Sequence, residues 1–519
     1  MVSVDRNVFI EMPDGARLAT DIHHPDGNGP FPTLLQRTCY DKDFLSQYAG
    51  LESFVAAGYR VVFQDCRGSG ASDGEGDHFA ESVDGRATGD WIADQPWFDG
   101  QLATFGSSYM GMTQWALAVT RPPYLKAMAV GLTNSRVRSW FPGGSLALDI
   151  FLPWSMTRVF GFMEAEKPEL QARLDAAFMH LPLRDAVRVA TGQTLEWYSR
   201  WMDHPSADDP FWAPLDFSSA LDLDIPVLFL DQWYDYAATH LVDEFEYRQE
   251  AGLPSRMVVG PGTHFSSDAT QLDETLRWFD LHLRDGESEA RSSAKVFVLP
   301  DAGWRDVAHW PPAGEPDTWF LQPGGGLSRK PAATIVDPTP YQYDPDDPTP
   351  ALGGPSLRME HCGPRDNRPL EARADVLTFT SPLLESEAFT VGRVWVELFL
   401  RSDVDHFDIY LRLCDVAPSG ESTNVSEVLQ RLTPEDIRRD GDGVFAISAE
   451  LRPVACRFET GHRIRLQVSG GAHPMFARNT CSGEHVADAT TVVVAHNAVY
   501  HDELHPSRIA LACPSSPLQ

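Results

Sequence analysis

Gly106-Ser107-Ser108-Tyr109-Met110-Gly111 sets a hydroxyl between two glycines, after the apolar run Leu102-Ala103-Thr104-Phe105 and ahead of an apolar helical stretch over 110–120. A serine at such a strand-to-helix elbow projects from a sharp turn, with a helix N-terminus behind it, as a nucleophile in acyl transfer must. The glycines let two backbones pass where a Cβ would intrude. A second serine, Ser72, fits the literal G-x-S-x-G in Gly70-Ala71-Ser72-Asp73-Gly74. It lies in a Gly/Asp/Ser-rich loop with no apolar helix after it, so it reads as a connecting turn.

A serine hydroxyl is a poor nucleophile at neutral pH and needs a base. In α/β-hydrolases the partners follow in the order Ser, Asp/Glu, His. Asp235 lies in Asp231-Gln232-Trp233-Tyr234-Asp235, just past the apolar run 225–230, and His264 ends Gly260-Pro261-Gly262-Thr263-His264, just past the run 256–260. Both sit where the C-terminal edge of an open sheet should be, the edge at which such sheets bind ligands. Asp231 competes for the acid role, nearer the strand end. His240, His180 and His204 do not follow a strand, which leaves His264 as the expected base.

The elements that must position these groups alternate in type. A hairpin around Asp14-Gly15 opens the chain. Strands follow at 33–35, 59–64, 102–105 and 126–130, with helices at 44–57, 82–94 and 110–120 between them. Unbroken apolar strands alternating with helices predict a sheet covered on both faces. The alternation lapses over 139–220, a stretch rich in aromatics and prolines and placed to cap a site, and resumes with strands at 225–230 and 256–260 and a helix at 271–283. Past a linker at 285–289 the apolar period becomes two, as in Val394, Val396, Leu398 and Leu400. Strands with one buried face predict an antiparallel β-sandwich. The expected fold is therefore α/β: a hydrolase core over 1–138 and 221–290, a helical cap over 139–220, and a jelly-roll β-sandwich over 295–519.

Composition sets limits. The chain has 519 residues and a formal net charge of −32, which disfavours a nucleic-acid partner. No run approaches the roughly 20 apolar residues of a membrane span, and the start lacks the pattern of a secretory signal. Seven cysteines without a C-x-x-C pair suggest reduced thiols and a cytoplasmic setting. No metal or nucleotide motif occurs, so no cofactor is expected. Self-association into a homo-oligomer stays open.

Over its whole length the chain resembles the cocaine esterase / X-Pro dipeptidyl-peptidase-like acyl hydrolases, the CocE/NonD group. The resemblance rests on Arg37-Thr38-Cys39-Tyr40-Asp41-Lys42, Asp65-Cys66-Arg67-Gly68, Gln95-Pro96-Trp97, the Ser108 segment, 140–144, Trp233-Tyr234-Asp235, the His264 segment and Asn367-Arg368-Pro369-Leu370. It implies the three-part architecture above, with Ser108 as nucleophile, His264 as general base and acid, and Asp235 holding the imidazole. It also implies an oxyanion hole made by the Tyr40 hydroxyl and the Tyr109 backbone N–H. One departure is Cys39, where relatives usually carry proline; it is expected to be a packing residue.

The expected substrate is a small-molecule acyl ester or amide. Relatives that favour amino-acid esters carry carboxylates just after the aspartate, whereas here Tyr236-Ala237-Ala238 follows. Asp149 or Glu164 could stand in for them. Trp140, Phe141, Trp154, Trp233 and Phe265 suggest an apolar acyl or aryl pocket. An acyl esterase is favoured over an X-Pro peptidase or an acyltransferase. A binding module on the β-sandwich with a vestigial core is the reading of a different kind.

Overall fold

The structure is a computed structural model. It describes residues 3–516 and 518, apart from 28, 48–49, 77–79, 267–268 and 285–292. The linker expected at 285–289 lies outside the described residues.

The first sheet is built as the hydrophobic pattern requires. Its strands are β1 (Ser3–Glu11), β2 (Arg17–His24), β3 (Thr33–Thr38), β4 (Arg60–Asp65), β5 (Leu102–Ser107), β6 (Leu125–Gly131), β7 (Val227–Tyr234), β8 (Ser255–Thr263), β9 (Ala294–Val298) and β10 (Gly303–Val307). They lie in the order β1-β2-β4-β3-β5-β6-β7-β8-β9-β10. From β4 to β9 neighbours run parallel, and the edge pairs β1–β2, β2–β4 and β9–β10 are antiparallel. Every residue of β3 and β4 is buried, as expected of parallel strands covered by helices on both faces. β3, β5, β7 and β8 end at one edge, where the loops carrying Tyr40, Ser108, Asp235 and His264 emerge.

Three boundaries differ from the sequence reading. The helix expected at 44–57 is two short pieces, Lys42–Leu45 and Leu51–Ala56, with Gly50 in the left-handed region between them. β7 runs on to Tyr234, so Asp231 is a strand residue and Asp235 the first position beyond it. β9 and β10 extend the first sheet past the 290–295 boundary, β9 pairing with β8 and β10 with β9; the alternating burial of β9 has the same period as the strands that follow, so period alone does not separate it from them.

Between β6 and β7 the chain forms an insertion of short helices, the longest being Leu148–Phe160 and Pro168–Phe178. Its interior is aromatic: Trp140 stacks on Trp201 with ring centroids 4.9 Å apart, and Phe141 packs against Trp212 at 5.5 Å. From Gly314 to Pro514 an eleven-stranded second sheet follows, antiparallel apart from one contact between Gly326 and Thr380. Along its strand Ala388–Ser402, Val394, Val396, Leu398 and Leu400 are buried while Trp395 is exposed, as period-two burial requires. No helix among the described residues is long and apolar enough to cross a membrane.

Candidate active site

Ser108 caps the helix Tyr109–Ala118 with φ 60° and ψ −127°, a conformation rare for a residue with a side chain. Two glycines permit the turn. A Cβ on Gly106 would come 2.7 Å from the Met110 Cβ, and one on Gly111 would come 2.4 Å from Thr133 Cγ2. The Ser108 N–H donates to the Gly131 carbonyl at 2.9 Å, pinning the elbow to β6.

The loops after β7 and β8 bring an imidazole and a carboxylate to this hydroxyl. His264 Nε2 lies 3.1 Å from Ser108 Oγ, and His264 Nδ1 lies 2.5 Å from Asp235 Oδ2. The other Asp235 oxygen accepts the Ala237 N–H at 2.8 Å, and the carboxyl is fully enclosed. With Nδ1 facing the carboxylate, the tautomer that donates there leaves Nε2 free to accept from Ser108. Asp231 points elsewhere. It is buried, one oxygen accepts only the Gln232 N–H, the other has no hydrogen-bond partner, and burial followed by repulsion from Asp235 holds its carboxyl far above the usual range.

Tyr40 and the Tyr109 ring pack edge to face with centroids 6.2 Å apart. The Tyr40 hydroxyl accepts from Trp154 Nε1 at 3.1 Å, and the preceding Cys39 carbonyl accepts from Arg158, one turn along the same helix, Leu148–Phe160. Burial pushes the Tyr40 phenol well above its ordinary pKa, so it is a neutral donor. The Tyr109 phenol is held beneath the elbow by buried Glu81, at 2.7 Å, which also pairs with buried Arg37 at 2.7 Å. The Cys39 thiol is buried and pushed up to about 12, mainly by that burial, which leaves it unreactive. Ser72 bonds Asp65 and Ala19 through its hydroxyl, as a turn residue does.

The expected pocket residues separate. Trp154 reaches Tyr40, and Phe265 packs edge-on to His264 with centroids 5.5 Å apart. Trp140 and Phe141 belong to the aromatic interior of the insertion between β6 and β7. Trp233 is enclosed against Trp310, with its indole N–H on the Phe297 carbonyl. A cavity of about 390 Å³ opens beside Tyr40, lined by Phe44, Arg158, Phe160, Phe162 and Glu164 among others. Glu164 is exposed and pairs with Lys167. Asp149 is buried with Ser356 and Arg358 as its neighbours, and burial raises its carboxyl to about 8.

Sequence reasoning missed two neighbours of the site. Tyr236 lies over His264 with centroids 5.1 Å apart, its hydroxyl beside Ser108; adjacency to Asp235 was its only signal. Arg452 donates to the carbonyls of Trp233 and Asp235 from the second sheet, and nothing local in the sequence announces it. Among the described residues no cluster of His, Cys, Asp and Glu could hold a metal ion.

Comparison with known proteins agrees from end to end. The profile of the X-Pro dipeptidyl-peptidase S15 family matches residues 14–266, and that of the X-Pro dipeptidyl-peptidase C-terminal non-catalytic domain matches 274–510. Cocaine esterase of Rhodococcus sp. strain MB1 Bresler is 30% identical, over 98% of this chain and 98% of that one. An aminopeptidase from a marine sediment Thaumarchaeota archaeon has the same fold, with a TM-score of 0.85, 21% identity, and coverage of 99% of this chain and 96% of that one. So does a selenomethionine-labelled α-amino acid ester hydrolase, at 0.84 and 22%, again over 99% and 96%. Likeness of this extent, over core and C-terminal region alike, makes the chain a member of the cocaine esterase / X-Pro dipeptidyl-peptidase family and a serine hydrolase.

Proposed function

We propose that the chain cleaves an acyl ester by two-step acyl transfer through Ser108, His264 and Asp235. The observation that carries this reading is the pair of contacts joining Ser108 Oγ to the imidazole at 3.1 Å and the imidazole to Asp235 at 2.5 Å. Ser108 attacks the carbonyl as His264 takes its proton, and the imidazolium formed is stabilised by Asp235. The oxyanion is held by the Tyr40 hydroxyl and the Tyr109 N–H. His264 then protonates the leaving group, and water activated at the same nitrogen releases the acid. The acyl group lies against Trp154 and Phe265.

We read the architecture as an α/β-hydrolase core, an inserted helical cap and a C-terminal jelly roll, with β9 and β10 assigned to the core. Seven free thiols, six of them buried, favour a reducing compartment such as the cytoplasm. The match to the X-Pro dipeptidyl-peptidase family supports a second reading, an amidase using the same groups.

A fluorophosphonate probe tests the nucleophile. Wild type is expected to be labelled at Ser108 and Ser108→Ala not at all; full labelling of the variant sinks the assignment. Turnover of p-nitrophenyl esters against release of a chromogenic amine from an Ala-Pro amide separates esterase from peptidase, with the ester expected to win.

A further inference from the structure

The C-terminal region matches a domain described as non-catalytic, yet one of its side chains reaches the loop that holds the proposed acid. Arg452 lies on the strand Phe445–Phe458, which pairs with Ala388–Ser402. The register there goes from Gly392 opposite Val454 to Val394 opposite Leu451, so Arg393 alone faces both Arg452 and Pro453. This is a β-bulge, a device that re-aims a side chain; a proline, lacking a ladder donor, suits the place. The re-aimed Nη2 of Arg452 donates to the Trp233 carbonyl at 3.1 Å and to the Asp235 carbonyl.

The same bulge grips the next element too. Arg393 pairs with Asp243 at 2.6 Å and Glu246 at 3.0 Å, on the helix Ala238–Glu250 that begins three residues after Asp235. The Tyr234 hydroxyl donates to the Asn424 carbonyl at 3.0 Å. Asp235 is thus tied to the second sheet on both sides. Its own carboxylate has one oxygen on Ala237 N–H and the other on His264, so a shift of the loop backbone is a shift of the imidazole.

We infer that Arg452 is a positioning residue for the hydrolytic reaction: its guanidinium, delivered by the bulge, bridges the Trp233 carbonyl near the end of β7 and the Asp235 carbonyl just past it, and fixes Asp235 against His264. The inference rests on the roles proposed above for Ser108, His264 and Asp235. Both bonds come from Nη2, whose two N–H groups are fixed in the guanidinium plane and so set where the two carbonyls lie, whereas an ammonium serves as a rotating point charge. The Arg452 bond to the Asp235 carbonyl also places a positive charge beside this pair. The other ionisable groups around it are Asp231 on β7, Tyr236 over the ring and Tyr40 across the site, with Glu427 behind Arg452, its Oε1 3.8 Å from Nε.

Arg452→Met and Arg452→Lys, assayed as full-length protein on a p-nitrophenyl ester over pH 5–9, test it. Misplacing a catalytic group by about 1 Å costs up to about 100-fold, so Arg452→Met is expected to lose about 10- to 100-fold in kcat with KM changed much less. Removing a cation favours protonation nearby, so the acid limb of its kcat/KM profile should move up by about half a pH unit or more. Arg452→Lys keeps the charge and loses the planar guanidinium. Its limb should stay at the wild-type pH while kcat still falls several-fold. Wild-type kcat in either variant overturns the inference, as does an Arg452→Met loss that only tracks the folded fraction by circular dichroism with an unmoved limb. If Arg452→Met does not fold, the kcat of Arg452→Lys decides alone. Failure of wild type to react with fluorophosphonate at Ser108 overturns the proposed function and this inference together. A labelled wild type with indifferent Arg452 variants overturns only the inference.

Discussion

Trp154 Nε1 donates to the Tyr40 oxygen, so one lone pair of the phenol is engaged and the hydroxyl keeps its own proton to donate. That arrangement suits a donor aimed at a developing oxyanion, and burial keeps it protonated across the working range. Tyr40→Phe is therefore expected to lower kcat on an activated ester by about 10²- to 10³-fold, the usual result of deleting one oxyanion donor, with KM little changed. Trp154→Phe keeps the ring and removes only the indole donor, so its loss should be several-fold smaller; steady-state kinetics on both variants rank them. Ser108, Asp235 and His264 were legible in the sequence because each follows its own strand within a few positions, and backbone geometry dictates such offsets. Tyr40 was legible only through the family resemblance. The Trp154–Tyr40 contact joins positions 114 apart, and no local pattern encodes which of the cap's tryptophans arrives there.

The inserted helix Leu148–Phe160 carries Trp154 and Arg158 on the face that holds the Tyr40 loop, and Asp149 in its first turn. A carboxylate near a helix N-terminus is ordinarily favoured by the dipole, but here burial dominates and raises Asp149 to about 8, with Ser356 and Arg358 offsetting only part. An acid whose folded pKa lies above its unfolded value near 3.8 binds its proton more tightly when folded. Its stabilising contribution is full at low pH, declines as pH rises from about 4 to about 8, and is flat above that. Asp149→Asn removes this dependence. Relative to wild type, the variant should gain more than about 1 kcal/mol of stability between pH 5 and pH 8, read from urea unfolding at the two values; parallel curves would refute it. Elements were legible where periodicity was strong, as in β3 to β8 and the nucleophile helix. They were misjudged where two elements share one pattern. The helical signal over 44–57 is continuous in type, yet two short pieces form, and β9 alternates just as the second sheet does, so periodicity placed β9 and β10 with that sheet although they hydrogen-bond into the first.

At the scale of the whole chain, the two sheets meet through a buried polar chain that no sequence pattern announces. Asn367, from the motif Asn367-Arg368-Pro369-Leu370, accepts Arg412 Nη1 at 2.7 Å. Arg412 also donates to the carbonyls of Leu352 and Gly353, and its Nε lies 3.5 Å from Glu427. Glu427 stands next to Arg452, which holds the carbonyls of Trp233 and Asp235. Arg412 and Glu427 have side chains 0% and 3% exposed, so neither charge has water to fall back on. Desolvating two ions costs several kcal/mol, and their attraction roughly restores it; removing one partner leaves the other charge buried alone. Arg412→Met should therefore lose about 3–5 kcal/mol of unfolding free energy, measured by urea denaturation of the full chain. Adding Glu427→Gln to Arg412→Met should recover part of that loss, because the stranded carboxylate is then gone. A single variant as stable as wild type would mean that the pair contributes nothing to the stability of the fold, and that van der Waals packing around it suffices.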